Sequence, residues 1–321
     1  MATYNGQRYL ADQLQSIRQQ HVLPAELVIA DDGSTDGTLE VVDEFQKDCG
    51  FDVVIIRNNH LGVGANFLSA LEASRGSYVA FADQDDVWLP AKLERLAAVA
   101  HETNADVVAH GVRTVDNALR PIRSGYPNVR HLVVEDRLQG NIWFPIAGNA
   151  MMFDRTLLDG CDWTGRPPSQ WSRAPMNHDD LVKILGTIRG RTIRIPDRLL
   201  LYRQHQANVA GAAKTLGQAV RSYSDPVQGI AHRIDVLAEW APYFVPLVPT
   251  EQQAATRDYF EQAKTIMKAR YERLHEATPQ ALLAIFGSVV HGDYSIRQAD
   301  GLDWKWALQD LYVLLKRYVG T

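Results

Sequence analysis

Three aspartates stand at the end of one apolar stretch of the chain. Asp83, Asp85 and Asp86 follow residues 78–82 in the segment YVAFADQDDVW. Carboxylates this close repel each other, and their charges cost free energy unless a cation lies between them. Hard divalent cations such as Mg²⁺ and Mn²⁺ take oxygen ligands of this kind. We therefore predict a divalent metal at this point, with Asp86 serving as a solvated acid that caps the next helix.

Further polar side chains follow predicted strands or begin predicted helices: Asp31 with Asp32, Asp179 with Asp180, and Arg203 with His205. A carboxylate held at a fixed position can accept a proton from a reacting hydroxyl. A guanidinium can bind a phosphate through two parallel hydrogen bonds. Taken alone, the segment ADDGSTDGT (30–38) is also an ordinary start of a helix.

The elements that position these residues alternate in type over the first two hundred residues. Apolar runs predict strands at 26–32, 52–57, 77–83 and 105–115, and residues spaced by three or four predict helices at 7–20, 34–48, 62–74 and 89–102. A further strand region (143–154), helix (179–190) and strand (191–205) follow. This order predicts an α/β fold with a doubly wound, mostly parallel sheet and helices on both faces. Ligands bind beyond the carboxyl ends of such strands, where the acids lie.

The chain divides by composition into two parts. Residues 1–212 carry the strands, and residues 213–321 predict an α-helical C-terminal extension with amphipathic helices at 251–277 and 304–319. The segment MATYNG opens on turn residues, with no apolar strand before the first helix. A doubly wound sheet is expected to have a strand of about five residues there. We therefore expect this chain to lack the first part of its own sheet.

The overall composition excludes several classes of protein. A formal net charge of −5 argues against nucleic acid as a partner, because phosphate-binding surfaces are basic. The two cysteines, Cys49 and Cys161, show no metal-binding spacing, which fits a reducing compartment. We find no signal peptide and no apolar run near 18 residues. We expect a cytoplasmic protein, either free or peripheral on the inner face of the membrane.

Five segments together resemble inverting nucleotide-sugar glycosyltransferases of family 2. They are ATYNG (2–6), ADDGSTDGT (30–38), ADQDDVW (82–88), NHDD (177–180) and YRQHQANVAG (202–211). The group of rhamnosyltransferases and other polysaccharide or O-antigen transferases is the most similar. The resemblance implies a GT-A-type fold and transfer of a sugar, with inversion, from a nucleotide diphosphate donor to a hydroxyl of a glycan. Among donors it favours dTDP-rhamnose and leaves UDP-sugars open.

The resemblance also implies roles for the acids. Asp85 would bind the metal directly, and Asp83 would lie near both the metal and the ribose. His205 would contact the diphosphate or the metal. Asp179 would be the general base, with its neighbour Asp180 as the alternative.

The remaining implied residues concern the nucleotide. Asp31 and Asp32 would accept hydrogen bonds from the base or the ribose, and Thr3 and Tyr4 would line the base pocket, largely with their backbone. Asn66 would contact the ribose or diphosphate or cap a helix. Arg203 would clamp the diphosphate.

Other activities fit parts of the same pattern. The segment FADQDDV also fits haloacid-dehalogenase-like phosphatases, in which Asp83 would be the nucleophile. A glycoside hydrolase would use two carboxylates, such as Asp83 and Asp179, but has no need of a nucleotide pocket. A non-catalytic nucleotide-sugar-binding module is the third alternative.

The expected partners are a nucleotide-sugar donor and a glycan or lipid-linked glycan acceptor. The C-terminal helices would pack on the core, pair two chains as a homodimer or rest on a membrane.

Overall fold

The computed structural model describes residues 1–122, 128–205 and 226–276, together with residues 310, 311 and 314. Within these residues the fold is α/β. The helices are α1 (Gln7–Arg18), α2 (Thr38–Phe45), α3 (Val63–Ala73), α4 (Lys92–Thr103), α5 (His178–Arg189), α6 (Pro226–Phe244) and α7 (Thr250–Glu276). This confirms the predicted α/β class.

The first sheet is parallel. Its strands lie in the order β1 (Ala2–Thr3), β2 (Glu26–Asp31) and β3 (Asp52–Arg57). β2 is apolar from Leu27 to Ala30 because both of its faces are covered. Leu27 and Ile29 pack in a cluster with Leu10 of α1, whereas Val28 packs in another with Ala70 of α3. The central strand therefore holds α1 and α3 on opposite faces.

The second sheet is mixed. Its order is β4 (Tyr78–Ala80), β8 (Met151–Asp154), β6 (Val107–Val115), β9 (Thr192–Arg203) and β5 (Val87–Trp88), and β7 (Val133–Glu135) also pairs with β9. Only β6 and β9 are parallel, and the other four pairs are antiparallel. Because β8 runs antiparallel to β4, the residues that precede β8 lie beside the residues that follow β4. That second group is the acidic segment.

One detail of the strands differs from the prediction. The mostly parallel order holds in the first sheet but not in the second, where β5, β7 and β8 are short strands that follow turns and loops rather than helices. A strand of only two residues stands before the first helix, where a strand of about five was expected. Ala2 and Thr3 pair with β2, and the amino group of Met1 donates to the carbonyl of Val28 at 2.7 Å. Two residues are too few to give a strand pattern in the sequence.

The C-terminal helices pack on the α/β core. Trp240 and Phe244 of α6 and Phe260 of α7 share one hydrophobic cluster with Phe67 of α3 and Leu181 of α5. The predicted boundary at residue 212 and most of the predicted helix 304–319 lie outside the described residues. In the part of the chain that is described, no helix is both long and apolar enough to cross a bilayer.

Helix α5 approaches the second sheet closely at Gly186. A Cβ atom at this position would lie 2.6 Å from Cγ2 of Val107 and 3.2 Å from the hydroxyl of Thr192. Alanine inside a helix normally stabilises relative to glycine by about 0.5–1 kcal/mol. Here we expect Gly186→Ala to lower the free energy of unfolding by about 1–3 kcal/mol, because the core must shift to admit the methyl group. Urea denaturation measures the change.

The double variant with Val107→Ala is the control for this clash. Removal of Cγ2 relieves the contact, so the two changes together should cost less than the sum of their separate costs. Additive costs, or a more stable Gly186→Ala protein, would contradict the close packing.

Candidate active site

The acidic segment forms a turn between β4 and β5. Carboxylate oxygens of Asp83, Asp85 and Asp86 lie within 4.8 Å of one another. The intervening Gln84 points to the first sheet, where its side chain accepts from the backbone N–H of Tyr4 at 2.9 Å and donates to its carbonyl at 3.0 Å. The turn thus brings the three carboxylates together and fixes the β1 end of the first sheet beside them.

Asn149 joins two of these acids. It lies in the turn Gly148–Ala150, immediately before β8. Its side-chain Nδ2 donates to Oδ2 of Asp83 at 2.8 Å and to Oδ2 of Asp86 at 2.6 Å. Asp86 also accepts from the backbone N–H of Arg203 at 3.1 Å, at the end of β9. It is fully buried, so the expected solvated cap is wrong for this residue.

His205 lies where the sequence predicted a site residue. Its Nε2 is 2.8 Å from Oδ2 of Asp85, and its ring stacks on Tyr9 with a centroid separation of 4.7 Å. The described structure therefore brings together Asp83, Asp85 and His205, the three residues expected at the metal.

Burial gives this cluster unusual electrostatics. Burial, together with the neighbouring carboxylates of Asp85 and Asp179, raises the pKa of Asp83 to about 7. Burial is also the main cause that raises the pKa of Asp86, with Asp83 and Asp85 adding to it. The ammonium of Lys92 is buried too, which lowers its pKa to about 7. Close to neutral pH the cluster is short of positive charge.

The donor set fits a hard divalent cation. Three carboxylates offer oxygen ligands within one small volume, which is the ligand type that Mg²⁺ and Mn²⁺ prefer. The side-chain Oδ1 of Asn149 is buried next to them and has no hydrogen-bond partner among the described residues. A cation here would supply the missing positive charge.

Lys92 at the start of α4 lies beneath the acids. Its Nζ donates to the backbone carbonyl of Asn149 at 2.6 Å and lies 3.8 Å from the ring centroid of Trp88. The pattern of α4 gave no sign of a buried lysine. Neither Lys92 nor Asn149 was predicted from the sequence, because only the pairing of β4 with β8 brings Asn149 to the acids.

The predicted nucleoside turn is held by its own hydrogen bonds. Asp31 accepts from the hydroxyl of Thr3 at 2.7 Å, and from the backbone N–H and hydroxyl of Ser34 at 2.8 and 2.6 Å. Asp32 accepts from the backbone N–H groups of Leu61 and Gly62 at 2.7 and 2.8 Å. Both aspartates thus shape the loops that surround this end of the first sheet.

Asn66 and Tyr4 differ in exposure. Asn66 is buried, donates to the carbonyl of Ala30 at 2.8 Å and accepts from the side chain of Asn58 at 2.9 Å. Tyr4 is 47% exposed, with its ring edge-on to His60 at 5.6 Å. Of the residues around the first sheet that were predicted to bind the nucleotide, Tyr4 is the one whose side chain is exposed.

The guanidinium of Arg203 is occupied by hydrogen bonds to the protein. Its three guanidinium nitrogens donate to the carbonyl of Asp85 at 2.7 Å, the carbonyl of Asn117 at 2.9 Å and the carboxylate of Asp12 at 2.8 Å. The guanidinium also lies over the ring of Tyr9 at 4.7 Å. These contacts tie the acidic turn to α1.

The two acids at the start of α5 have different surroundings. Asp179 is half-buried and lies close enough to raise the pKa of Asp83, while burial raises its own pKa against the backbone N–H of Asp180, which donates to it at 2.9 Å. Asp180 is buried and accepts from Nε2 of Gln170 at 3.1 Å, with Nζ of Lys183 3.9 Å away. Only Asp179 is therefore placed beside the acidic turn and partly open to solvent.

His178 precedes these acids and is part of the core. Its ring stacks on Phe67 with a centroid separation of 3.9 Å, and burial lowers its pKa to about 3. It stays neutral at physiological pH and orients the start of α5.

Comparison with known proteins connects this arrangement to one family. The model of glycosyl transferase family 2 matches residues 1–159. The uncharacterized glycosyltransferase alr2836 of Nostoc sp. is 28% identical over 228 residues, which cover 69% of each chain. The dTDP-rhamnosyl transferase RfbG of Shigella flexneri is 27% identical over 224 residues, or 66% of this chain and 74% of RfbG.

The fold also has a counterpart among solved structures. The crystal structure of S. aureus TarS 1–349 in complex with UDP-GlcNAc matches with a TM-score of 0.56 at 17% identity, covering 100% of this chain and 90% of that chain. This likeness concerns the fold, which is the expected GT-A type. The chain belongs to glycosyl transferase family 2 and is a glycosyltransferase.

Proposed function

We propose that this enzyme is an inverting, metal-assisted glycosyltransferase of polysaccharide synthesis. It moves a sugar from a nucleotide diphosphate donor, dTDP-rhamnose or a UDP-sugar, to a hydroxyl of a glycan acceptor. The observation that carries the proposal is the convergence of Asp83, Asp85 and Asp86 within 4.8 Å, with Asp179 beside them. The relationship to a dTDP-rhamnosyl transferase and the UDP-GlcNAc bound by TarS support this donor class.

The leaving group explains the acids. Transfer breaks the bond between the anomeric carbon and the phosphate oxygen, and a nucleoside diphosphate leaves with that electron pair. A divalent ion held by Asp83, Asp85 and Asp86, next to His205, supplies positive charge for this developing anion. The side chains of Arg203 and Asn149 keep the acidic turn in shape.

The acceptor side requires a base. A hydroxyl that attacks the anomeric carbon from the opposite face loses its proton as the new bond forms. We assign this proton to the carboxylate of Asp179, which is partly exposed beside the acidic turn. Asp180 is less suited, since it is buried against Gln170 and Lys183.

Membership of family 2 sets the phosphatase alternative aside, and the geometry agrees. The carboxylate of Asp83 accepts from Nδ2 of Asn149 at 2.8 Å within the acidic cluster, which restrains it as a candidate metal ligand rather than a free nucleophile. A binding module without activity differs from our proposal in one respect, which is turnover of the donor.

A lipid-linked acceptor would bring the enzyme to the inner membrane surface.

Nucleotide binding tests the donor site. We expect UDP or dTDP to bind with Mn²⁺ and to lose at least about 10-fold in affinity with EDTA, because loss of even an outer partner of a metal site costs that much. Asp85→Asn should abolish the metal-dependent part of binding by removing a ligand. Calorimetric titration of each nucleotide, with Mn²⁺ and with EDTA, measures both effects.

Asp48→Asn is the matched control, because Asp48 is an exposed acid paired with Arg18. It should bind like the wild type. Binding that is equal with Mn²⁺ and EDTA, or an Asp85→Asn variant that responds to Mn²⁺ like the wild type, would contradict the assigned site.

Turnover tests the base. We expect Asp179→Asn to lower kcat by about 10²–10⁴-fold while nucleotide affinity is kept, since an amide cannot take the proton. Asp180→Asn should lower kcat less. The assay follows release of UDP or dTDP from the sugar nucleotide, first with water and then with a glycan-lipid extract as acceptor.

The pH profile gives a second readout for Asp179. Its raised pKa means that the basic form is lost at a higher pH than for an ordinary carboxyl of pKa about 3.9. As the pH is lowered, activity should therefore begin to fall at a higher pH than the pKa of an ordinary aspartate would give, and Asp179→Asn should remove this fall. A variant that keeps both kcat and the fall in activity at low pH would rule out Asp179 as the base.

A further inference from the structure

Asn149 contacts two metal-site acids through a single nitrogen. The distances from Nδ2 are 2.8 Å to Asp83 and 2.6 Å to Asp86, and Asn149 is 3% exposed. An amide donor shared by two carboxylates offsets part of their repulsion and fixes the distance between them. The nitrogen therefore determines how far apart these two acids lie.

Asn149 is itself held in place by Lys92 of α4. The buried ammonium of Lys92 donates to its backbone carbonyl at 2.6 Å. Lys92 in turn packs over the ring of Trp88, whose backbone N–H donates to the hydroxyl of Ser16 in α1 at 2.9 Å. The chain of contacts runs from α1 through Trp88 and Lys92 to Asn149, so the amide does not depend on the loop alone for its position.

We propose that Asn149 is a positioning residue of the metal site and that Lys92 holds it in place. The N–H groups of Asn149 keep Asp83 and Asp86 at the spacing at which the carboxylates bind a divalent cation. This inference rests on the metal-assisted part of the proposed function and adds two residues to it.

Two other roles would give opposite results on substitution. If Asn149 bound the cation directly through its Oδ1, an aspartate at this position would keep or increase metal affinity. If Lys92 acted only through its charge, its removal would tighten metal binding, because it is a cation near a cation site. Positioning predicts weaker binding in both cases, so the direction of the change separates the roles.

Mn²⁺ affinity, measured by electron paramagnetic resonance with saturating UDP or dTDP, tests Asn149. We expect Asn149→Ala and Asn149→Asp to weaken Mn²⁺ binding by about 10–100-fold, the usual cost of losing an outer partner of a metal site. Asn149→Ser keeps one hydroxyl donor in a smaller side chain and should lie between these variants and the wild type. Circular dichroism and thermal melting establish the folded fraction used for each affinity.

Asn128→Ala is the matched control. The amide of Asn128 bridges the backbone N–H and carbonyl of Val112 at 2.8 and 3.0 Å. Its loss removes a structural amide without touching an acid, so the folded protein should bind Mn²⁺ like the wild type.

Lys92→Met tests the support beneath Asn149. The methionine fills a similar volume without the ammonium, and we expect Mn²⁺ binding to weaken, by less than in Asn149→Ala. Tighter binding would overturn the role of Lys92.

The remaining outcomes separate the inference from the function on which it rests. Wild-type affinity in folded Asn149→Ala, or equal or tighter binding in Asn149→Asp, would overturn the positioning role alone. A wild-type protein that binds either nucleotide but no Mn²⁺ would overturn both this role and the metal-assisted part of the proposed function.

Discussion

Buried negative charge at the end of β4 is the constraint around which the rest of the site is organised. Asp86 is fully buried and Asp83 partly buried within a few ångströms of Asp85, which is unfavourable for any fold that leaves them unpaired. Three groups offset this charge: the amide of Asn149 just before β8, the backbone N–H of Arg203 at the end of β9, and the buried Lys92 of α4. Elements distant in sequence thus meet at one point, and the second sheet is what brings them there.

The sequence was sufficient for features that depend on neighbouring residues. The acidic segment, the turn at 30–38 and the start of α5 are each contiguous, and their positions after strands or before helices could be read from local patterns. The alternation of apolar strands and helices predicted the α/β class for the same reason. Asp83, Asp85 and His205 do meet in the structure, although His205 is separated from Asp85 by 120 positions.

The sequence was not sufficient where the direction of a side chain decides its role. Asn66 and Arg203 are polar residues at plausible positions for a ligand, yet both are occupied by hydrogen bonds to the protein. Asn149 and Lys92 carried no signal, because their partners are 63 and 57 positions away and depend on the antiparallel register of β8. Strand direction in the second sheet was missed as well, since short strands linked by loops leave no periodic pattern.

The turn Gly148–Ala150 lies against both the start of α5 and the acidic turn. His178 and Asp179 occupy the space beside Gly148, and the next residue, Asn149, donates to Asp83 and Asp86. There is no room for a side chain at position 148, where a Cβ would lie 2.7 Å from Nε2 of His178. Consecutive Cα atoms are about 3.8 Å apart, so covalent geometry limits how far the contact with α5 can lie from the contact with the two acids. In the proposed mechanism, this short turn therefore positions the base relative to the metal-site acids.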